Sequence, residues 1–532
     1  MKYYFISLLL LLNYWSNAQD AFQYELDISP VSVTGLPGLH SYAFGQSNGK
    51  WLIIGGRKDG LHARQPFNAF PAASGNTDIY VIDVNTQSFW QASVNTLPTG
   101  IKEQLQSTNM NFYQEEDTLY IIGGYAFSAT ENDHITFPKL TTVNISGLIN
   151  AIINNAPITS FFKQIDDNIF AITGGQLGKI GNTFYLVGGH RFDGRYNPMN
   201  HPTFTQTYAN KIQKFTIDNS GSQLSFSNYQ AITDAVHLHR RDYNLLPQIF
   251  PDGTEGYTIS SGVFQTNADL PYLYPVDITE NGYTPVTNFN QYLSNYHSAK
   301  ACLYDSLNNQ MHSLFFGGMS RYYYSNDALV EDNQVPFVKT ISRLSRFSDG
   351  SLQEYILPIE MPIFTGASAE FIPNNNLPHY DSEIIKLSRI NDDTILIGHV
   401  FGGINSTALN PFSSNQTNLT SASANIYAIR LIKATATAHR EIMINHNYDF
   451  TIFPNPAKGK ISIQYHLEKV VPGYYYLVSS EGNILLQGEL PKSKKGENEF
   501  ILALPKNLST QQLMLNIVFD NKFFTTKSFL AQ

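Results

Sequence analysis

Short apolar strands that end in a pair of glycines recur along most of the chain. The first copy runs from Trp51 to Ile54 and is followed by Gly55 and Gly56. A glycine pair allows positive φ and close approach of the main chain, so each copy predicts a buried strand that ends in a tight turn. The five further copies end at Gly124, Gly189, Gly262, Gly318 and Gly403, with Ser261 replacing one glycine. Six copies indicate a repeat protein.

Each interval between copies is long enough for four strands. In the first interval, apolar or alternating runs between turn residues predict strands at 40–45, 51–54, 78–83 and 88–93. Four strands joined in this way are typical of an antiparallel sheet. One insertion, residues 146–153, predicts a short helix that packs on the outside of its repeat.

The repeat resembles the kelch repeat, whose first strand often opens with His and whose second strand ends in Gly-Gly. Here His40 opens the first strand, and the third strand of that copy carries Tyr80 shortly before Asp83. The resemblance covers about residues 36–435 and implies a six-bladed kelch-like β-propeller, assigned to residues 19–435. Residues 22–33 begin with alternating polar and apolar positions, and we expect them to close the last blade as its outer strand.

A separate module follows a linker at residues 436–447. Short alternating strands over 448–532 predict a small C-terminal β-sandwich, so the predicted fold class is all-β throughout. The module resembles the type A sorting domain of the type IX secretion system of Bacteroidetes, on Phe453–Ala457, Gly473–Tyr474 and the basic-aromatic end 527–530. This resemblance implies export through the outer membrane by the type IX machinery, followed by removal of the module.

The amino terminus predicts export as well. Lys2, an apolar run at 5–12 and the small residues before Gln19 form a signal peptide at residues 1–18. The expected location is therefore secreted or on the outer cell surface. No other segment is long and apolar enough for a transmembrane helix.

Composition narrows the classes of ligand. Charged residues make up 14% and aromatic residues 13% of the chain, and the formal net charge is −9. An acidic balance argues against a nucleic-acid partner, which needs a basic surface. The single cysteine, Cys302, allows neither an internal disulfide nor a zinc site built on cysteines. No phosphate loop or nucleophile elbow occurs, and we expect no cofactor. Asp59, His62, His190 and Asp193 could supply metal ligands but lack the close spacing of known metal sites, so no metal site is predicted and metal binding stays open.

Several histidines and a good share of the few arginines lie at two positions of the repeat, after the glycine pairs and at the entrances to the first strands. In a kelch-type propeller both positions lie on one face around the axis, where the cations would form a positive basin. The entrance residues His40 and His297 are interpreted as structural. The ligand-binding candidates are Arg57, Asp59, Tyr125, Arg191, Asp193, Arg195, Arg240 and Arg321, and the catalytic candidates are His62, His190, His239 and Tyr322.

Two functions fit this mixture of side chains. Arginine binds carboxylates, tyrosine stacks on sugar rings and histidine transfers protons. The first hypothesis is a surface-displayed module that binds an anionic glycan or a protein. The alternative is a polysaccharide-active enzyme resembling a lyase, in which Arg neutralises a uronate carboxylate while His or Tyr removes a proton. The sequence leaves open whether the protein is an enzyme.

Overall fold

The computed structural model describes residues 22–65, 67–198, 203–293, 295, 297–325, 328–434, 442–443, 448–467, 470–506, 508–520 and 523–532. The predicted signal peptide and most of the predicted linker lie outside the described residues. The described part is all-β, with two α-helices, α1 (Thr99–Leu105) and α2 (Ile145–Ile153). No helix among these residues is long and apolar enough to cross a membrane.

Four antiparallel sheets of four strands follow one another along the chain. A fifth sheet has six strands, and a sixth is completed by the first strand, β1 (Tyr24–Val31). Sheet 1 contains β2 (Ala43–Ser47), β3 (Lys50–Ile54), β4 (Asp78–Asp83) and β5 (Ser88–Ser93). Sheet 2 contains β6 (Asn111–Glu115), β7 (Thr118–Ile122), β10 (Lys139–Asn144) and β11 (Phe162–Asp166), and the hairpin of β8 (Tyr125–Ser128) and β9 (Asp133–Thr136) stands beside it.

The next two sheets repeat this arrangement. Sheet 3 contains β12 (Gln176–Ile180), β13 (Thr183–Val187), β16 (Lys211–Asp218) and β17 (Ser225–Thr233), with a hairpin of β14 (His190–Gly194) and β15 (Phe204–Tyr208). Sheet 4 contains β18 (Asn244–Ile249), β19 (Glu255–Ser260), β20 (Val276–Thr279) and β21 (Gly282–Pro285).

Sheets 5 and 6 carry additional short strands. Sheet 5 contains β22 (Ala299–Asp305), β23 (Gln310–Phe316), β26 (Thr340–Arg346) and β27 (Leu352–Glu360), with β29 (Ile385–Lys386) and β33 (Ile442–Met443) at its edges and the hairpin of β24 (Tyr322–Ser325) and β25 (Ala328–Glu331) beside it. Sheet 6 contains β28 (Phe364–Pro373), β30 (Thr394–Ser406), β32 (Ile426–Lys433) and β1, with β31 (Thr420–Ala422) on β30. β1 pairs with β32 along its whole length, from Tyr24 opposite Lys433 to Val31 opposite Ile426.

The first strands of successive sheets are neighbours in space. β2 contacts β6, and the contacts continue in chain order through β12, β18 and β22 to β28. Sheet 6 returns to sheet 1, where the Tyr42 hydroxyl donates to the Phe401 carbonyl at 3.0 Å. Ile372 and Phe401 of sheet 6 share a buried cluster with Trp51 of sheet 1. The apolar cores therefore lie between adjacent sheets.

Main-chain hydrogen bonds join the six sheets where their first strands begin. Each sheet has one residue with a positive φ near the start of its first strand: Ser41, Asn109, Gly174, Asp242 and His297 lie two residues before their strands, and Ser368 lies within β28. These six residues are called the collar. Each link runs from the N–H of one to the C=O of another, with N···O distances of 3.0 Å (Ser41 to Ser368), 3.1 Å (Asn109 to Ser41), 3.3 Å (Gly174 to Asn109), 2.8 Å (Asp242 to Gly174) and 2.6 Å (Ser368 to His297).

The glycine pairs make the close approaches that the sequence predicts. Gly56 has φ +84°, and a Cβ built on it would lie 2.5 Å from the His40 carbonyl oxygen. Any side chain there would therefore force the entrance of β2 away from the end of β3.

Helix α2 is buried between sheets, whereas the sequence predicted that it packs on the outside of its repeat. Asn144 Oδ1 accepts from Gly147 N at 3.0 Å and caps the helix. Ile145, Leu148 and Ile152 lie on one helical face, and they are buried in a cluster that includes residues of sheets 1 and 2. Spacing of three and four residues makes this a continuous apolar stripe, which is why the helix fills the gap between sheets.

Residues beyond 448 form a seven-stranded arrangement of their own. In sheet order it is β37 (Ile484–Glu489), β36 (Gly473–Ser479), β39 (Gln511–Phe519), β40 (Phe523–Ala531), β34 (Phe450–Lys458), β35 (Lys460–Leu467) and β38 (Gly496–Ala503). These seven strands are called the C-terminal unit. The unit packs on sheet 4, where the Phe524 ring centroid lies 4.8 Å from that of Tyr274.

Candidate functional site

A cavity of about 210 Å³ lies on the loop side of the collar, and side chains from several sheets line it. Four histidines stand in its wall, so it is called the histidine cavity. They are His40, His62, His190 and His297. Arg57 and Arg241 also line it. Because the entrances of all six first strands converge at the collar, residues far apart in sequence meet here.

Arg57 is fixed by a carboxylate that stands behind it. Its Nε donates to Asp59 Oδ1 at 2.8 Å and its Nη2 to Oδ2 at 2.5 Å. Arg57 lines the cavity and Asp59 does not. Burial alone would raise the pKa of Asp59, but His40 and Arg57 outweigh it and hold that pKa well below its usual range. The ion pair therefore presents its positive end to the cavity.

Arg241 is held in a similar way on another side of the cavity. Its Nη1 donates to Asp242, a residue of the collar, and its Nε donates to the Tyr208 hydroxyl at 3.0 Å. Burial would raise the pKa of Asp242, and Arg241 outweighs burial so that the pKa is lowered. Both arginines are thus paired, and the positive basin expected from the sequence is reduced to two oriented ion pairs.

The four histidines are neutral at pH 7. Burial lowers the pKa of His40 and of His297, and it lowers the pKa of His62 to about 4 and that of His190 to about 3. Nearby arginines lower the last two further. These rings can therefore accept or donate hydrogen bonds without adding charge to the cavity.

Two of these rings present opposite tautomers. His62 Nδ1 donates to the Ala63 carbonyl at 3.2 Å, so its Nε2 carries a lone pair. Gln206 Nε2 donates to His190 Nδ1 at 2.6 Å, so His190 Nε2 carries the proton. The cavity thus combines an uncharged proton acceptor with an uncharged proton donor.

Aromatic rings and unpartnered polar atoms complete the wall. Phe70 stacks on His62 with centroids 4.4 Å apart, and Tyr196 meets the same ring edge-on at 4.7 Å. Tyr125 lines the cavity and donates its hydroxyl to the Gly194 carbonyl at 2.8 Å. The buried atoms Thr108 Oγ1 and Asn109 Oδ1 have no hydrogen-bond partner in the described protein, whereas His40 Nε2 lies 3.8 Å from Asp59 Oδ1. Buried polar atoms usually have partners, so Thr108 Oγ1 and Asn109 Oδ1 suit a polar ligand or bound water.

The structure brings together part of the predicted site. Of the candidates, Arg57, Tyr125, His62 and His190 line the histidine cavity, and Asp59 supports Arg57. Arg191 pairs with Asp193 at 2.5 Å with 47% of its side chain exposed, and Arg195 donates to the Ala69 carbonyl at 2.9 Å. These last three do not line the cavity.

Four further candidates are held away from the histidine cavity. Arg240 is fully buried between the rings of Tyr272 and Tyr274 and donates to three carbonyls. Arg321 is 1% exposed and pairs with Glu331 at 2.9 Å. His239 stacks on Tyr208 with centroids 3.8 Å apart, and Tyr322 is buried against Tyr292. Arg240 and Arg321 therefore stabilise the protein interior at these positions.

The candidates chosen from the sequence omit Arg241 and Asp242, and the two histidines interpreted as structural, His40 and His297, both line the cavity. A usable signal lies at the collar, where Asn109, Gly174 and Asp242 are residue types that tolerate positive φ. If these three residues are aligned as equivalent positions of the repeat, the residue directly before the collar is Arg241 and not its neighbour Arg240. No group of three or more His, Cys, Asp or Glu side chains in the described ranges is arranged to hold a metal ion.

No protein-family model matches the chain, and no curated protein matches it. Among solved structures, the chain is similar to that titled "Structure of YjhT", with 11% identity, a TM-score of 0.41, and coverage of 75% of this chain and 100% of that one. It is also similar to a glycoside hydrolase family 43 arabinoxylan arabinofuranohydrolase from Bacillus subtilis, with 10% identity, a TM-score of 0.29, and coverage of 94% and 98%. Both TM-scores are below 0.5, so neither similarity indicates a function.

Proposed function

We propose that this chain is a six-bladed β-propeller that binds a saccharide carrying an anionic group in the histidine cavity. The proposal of six blades is supported by the six sheets, whose first strands are neighbours in chain order. The return contact of sheet 6 with sheet 1 and the pairing of β1 with β32 support a closed ring. Such closure leaves no exposed sheet edge where the ends of the chain meet.

The orientation of the Arg57 and Asp59 pair carries the functional proposal. Arg57 faces the cavity with its carboxylate partner behind it, so its guanidinium is held in one geometry before any ligand arrives. A guanidinium fixed in this way is suited to a planar carboxylate. His190 adds an uncharged Nε2–H donor to the same wall. Donors of this kind favour an anionic group.

The remainder of the wall suits a sugar ring. Phe70, Tyr125 and Tyr196 offer apolar faces, and Thr108 and Asn109 offer unpartnered oxygen atoms. Sugars present both apolar C–H faces and hydroxyl groups, so a ligand of this class can satisfy both kinds of surface. A uronate unit combines such a ring with one carboxylate.

The proposal is tested with a panel of uronate oligosaccharides, each measured beside its carboxyl-reduced neutral form by titration calorimetry. We expect at least one acidic member to bind more tightly than its neutral form. Arg57→Ala should weaken that binding by roughly 2–5 kcal/mol, the usual loss for one partner of a buried charge pair. Arg57→Lys should recover only part of it, because lysine lacks the planar fork.

Lys214→Ala is the control, since Lys214 lies on sheet 3 and donates to the exposed Glu280 carbonyl. It should bind like the unmodified protein. Equal affinity for acidic and reduced oligosaccharides would contradict the anionic ligand. An unchanged affinity in Arg57→Ala, with its melting temperature preserved, would contradict the histidine cavity as the site.

A lyase is the second candidate function, and the opposite tautomers of His62 and His190 favour it. His62 Nε2 can take a proton from a carbon next to a carboxylate, Arg57 can neutralise that carboxylate, and His190 can donate a proton to the leaving oxygen. The same panel distinguishes the two functions. A lyase produces an unsaturated product with new ultraviolet absorbance, and His62→Gln should abolish it while leaving binding in place.

We infer export from the sequence features of both ends. The signal peptide at 1–18, the kelch-like propeller at 19–435 and the sorting module at 448–532 remain proposals that rest on the residues quoted for each. Together they suggest a saccharide-binding protein carried by the type IX machinery to the outer surface of the cell or beyond it.

A further inference from the structure

A second cavity lies on the other side of the collar from the proposed saccharide site. It measures about 150 Å³ and shares Asn109, Asp242 and His297 of the collar with the histidine cavity. Lys300 stands in its wall, so it is called the lysine cavity. Its volume has room for about ten water-sized groups. That is the size of a small organic molecule.

Three ionisable side chains reach the lysine cavity from three different elements. Lys300 belongs to β22 and Glu370 to β28, which are adjacent first strands, and Glu383 lies in the loop before β29. None of the three side chains has a hydrogen bond or an ion pair with the described residues. All three side chains are half-buried, and charged groups partly withdrawn from water in a cavity are normally paired. Three unpaired ones around a single cavity therefore indicate a place for a ligand that supplies the partners.

The charges of these three side chains indicate the charge that the ligand carries. Two carboxyl groups face one ammonium group, and the remaining acid of the wall, Asp242, already pairs with Arg241. One more positive charge would therefore balance the cavity. Burial raises the pKa of Glu370 to about 7 and raises that of Glu383, although Lys300 opposes both shifts. A proton on one of these carboxyl groups thus partly supplies the positive charge that a cationic ligand would bring.

An organic ammonium fits the wall better than a metal ion. The described residues contain no group of three metal-ligating side chains, here or elsewhere. The wall instead includes the rings of Phe112, Tyr113 and Phe371, and aromatic faces attract ammonium groups. Asn111 Oδ1, on a side chain that is 1% exposed, also lines the cavity without a hydrogen-bond partner. It can accept one of the ammonium hydrogens.

Lys300 determines the other end of the ligand. Its ammonium group has no carboxylate of the described protein within 4 Å, and a carboxylate on the ligand would supply one. We propose that the lysine cavity binds a small zwitterion of the α-amino acid class, with its ammonium group between Glu370 and Glu383 and its carboxylate on Lys300. The protein then has two sites on one axis, one on each side of the collar.

The test uses the full chain and titration calorimetry at pH 7 with the twenty free amino acids. At least one should bind with a submillimolar Kd. For that amino acid, the matched amine without a carboxylate and the matched acid without an amine should each bind at least tenfold more weakly. If no amino acid binds below 10 mM, or if the matched amine binds as tightly as the amino acid, the proposal is overturned.

Substitutions assign the two ends of the ligand. Glu383→Gln and Lys300→Met should each weaken amino-acid binding at least tenfold, and Lys300→Met should spare the weak binding of the matched amine. If Lys300→Met lowers the melting temperature, Lys300→Gln replaces it in this test. Glu255→Gln makes the same chemical change at an exposed position and should have no effect.

Arg57→Lys changes the histidine cavity alone and should also leave amino-acid affinity unchanged. An unaltered affinity in both Glu383→Gln and Lys300→Met would place the amino acid elsewhere and overturn the assignment. Because saccharide binding is measured with different ligands and depends on Arg57, failure at one cavity is distinguishable from failure at the other.

Discussion

A negative charge on the buried side chain of Glu354 would destabilise the folded protein. It is 1% exposed on β27, and its carboxylate accepts from Tyr292 N at 2.9 Å and from Leu293 N at 3.0 Å. Burial raises its pKa to about 8, although these two N–H donors oppose the shift. The folded protein therefore holds a proton on Glu354 at pH values where the unfolded chain has released it.

This proton makes the stability depend on pH. The folded pKa is raised, so the contribution of Glu354 is complete below its unfolded pKa of about 4.5 and is lost as the pH rises through about 8. We expect the melting temperature to fall between pH 5 and pH 9, and to fall less in Glu354→Gln, which cannot ionise. The two proteins should differ by a few kcal/mol at most, since one pKa unit corresponds to about 1.4 kcal/mol.

The exposed variant Glu255→Gln provides the matched control and should follow the unmodified protein at every pH. Parallel curves for Glu354→Gln and the unmodified protein would show that the Glu354 carboxyl group does not control this pH range. Glu370, whose pKa is also raised, contributes in the same direction but is unchanged in both proteins. The difference between the curves therefore isolates Glu354.

At the scale of elements, β1 is the edge strand that completes sheet 6. It forms eight residue pairs with β32, and the Arg430 side chain of β32 donates to Asp27 on β1 at 3.3 Å. Deleting residues 22–33 would expose one edge of β32 and remove Phe22 and Leu26 from a buried cluster. We expect the melting temperature to drop by several degrees, because large buried side chains contribute a few kcal/mol each.

Asp27→Ala is the control for this deletion, because it removes the exposed ion pair and keeps the strand. An exposed pair contributes 1 kcal/mol or less, so the expected loss is small. If the deletion leaves the melting temperature unchanged, β1 does not stabilise sheet 6.

The sequence predicted the elements of sheet 1 well because its turns contain strong signals. Residues 78–83 and 88–93 match β4 and β5 in full. In sheet 4 the signal is weaker, since Pro275 interrupts the apolar run at 273–277, and the strand begins only at Val276. Proline has no N–H for the ladder, which accounts for the late start.

The functional site was predicted less completely than the strands, because the direction of a side chain changes from one residue to the next. Neighbouring residues at a strand entrance point in opposite directions, so a shift of one position exchanges Arg240, buried among tyrosines, for Arg241, which lines the cavity. Lys300, Glu370 and Glu383 carried no local motif at all. Only the packing of β22 on β28 brings the first two together.

At the scale of the whole molecule, the C-terminal unit covers an apolar surface. Tyr272 and Tyr274 pack against Phe524, and Tyr292 faces Phe523 with ring centroids 6.4 Å apart. Removing residues 445–532 should uncover these tyrosines, so we expect stronger binding of an apolar fluorescent dye and a greater tendency to associate. In the native host, the proposed sorting role further predicts that the truncated protein stays in the periplasm.

Phe524→Ala provides the control, because it weakens the contact and leaves the unit in place. It should increase dye binding only slightly and should not alter export. Dye binding unchanged by the truncation would contradict the covering role of the unit. Truncated protein on the cell surface would contradict the sorting role, and the two results are read separately.

The collar has a consequence for how this architecture is inherited. Its links use main-chain N–H and C=O groups, which nearly every residue type supplies. Its six positions hold serine, asparagine, glycine, aspartate, histidine and serine. Because each position also has a positive φ, side chains can be exchanged there among residue types that tolerate this conformation, such as glycine, asparagine, aspartate and histidine, while the hydrogen bonds persist. The same six positions are then available for new chemistry on either side, and binding specificity can diverge between descendants whose backbones remain alike.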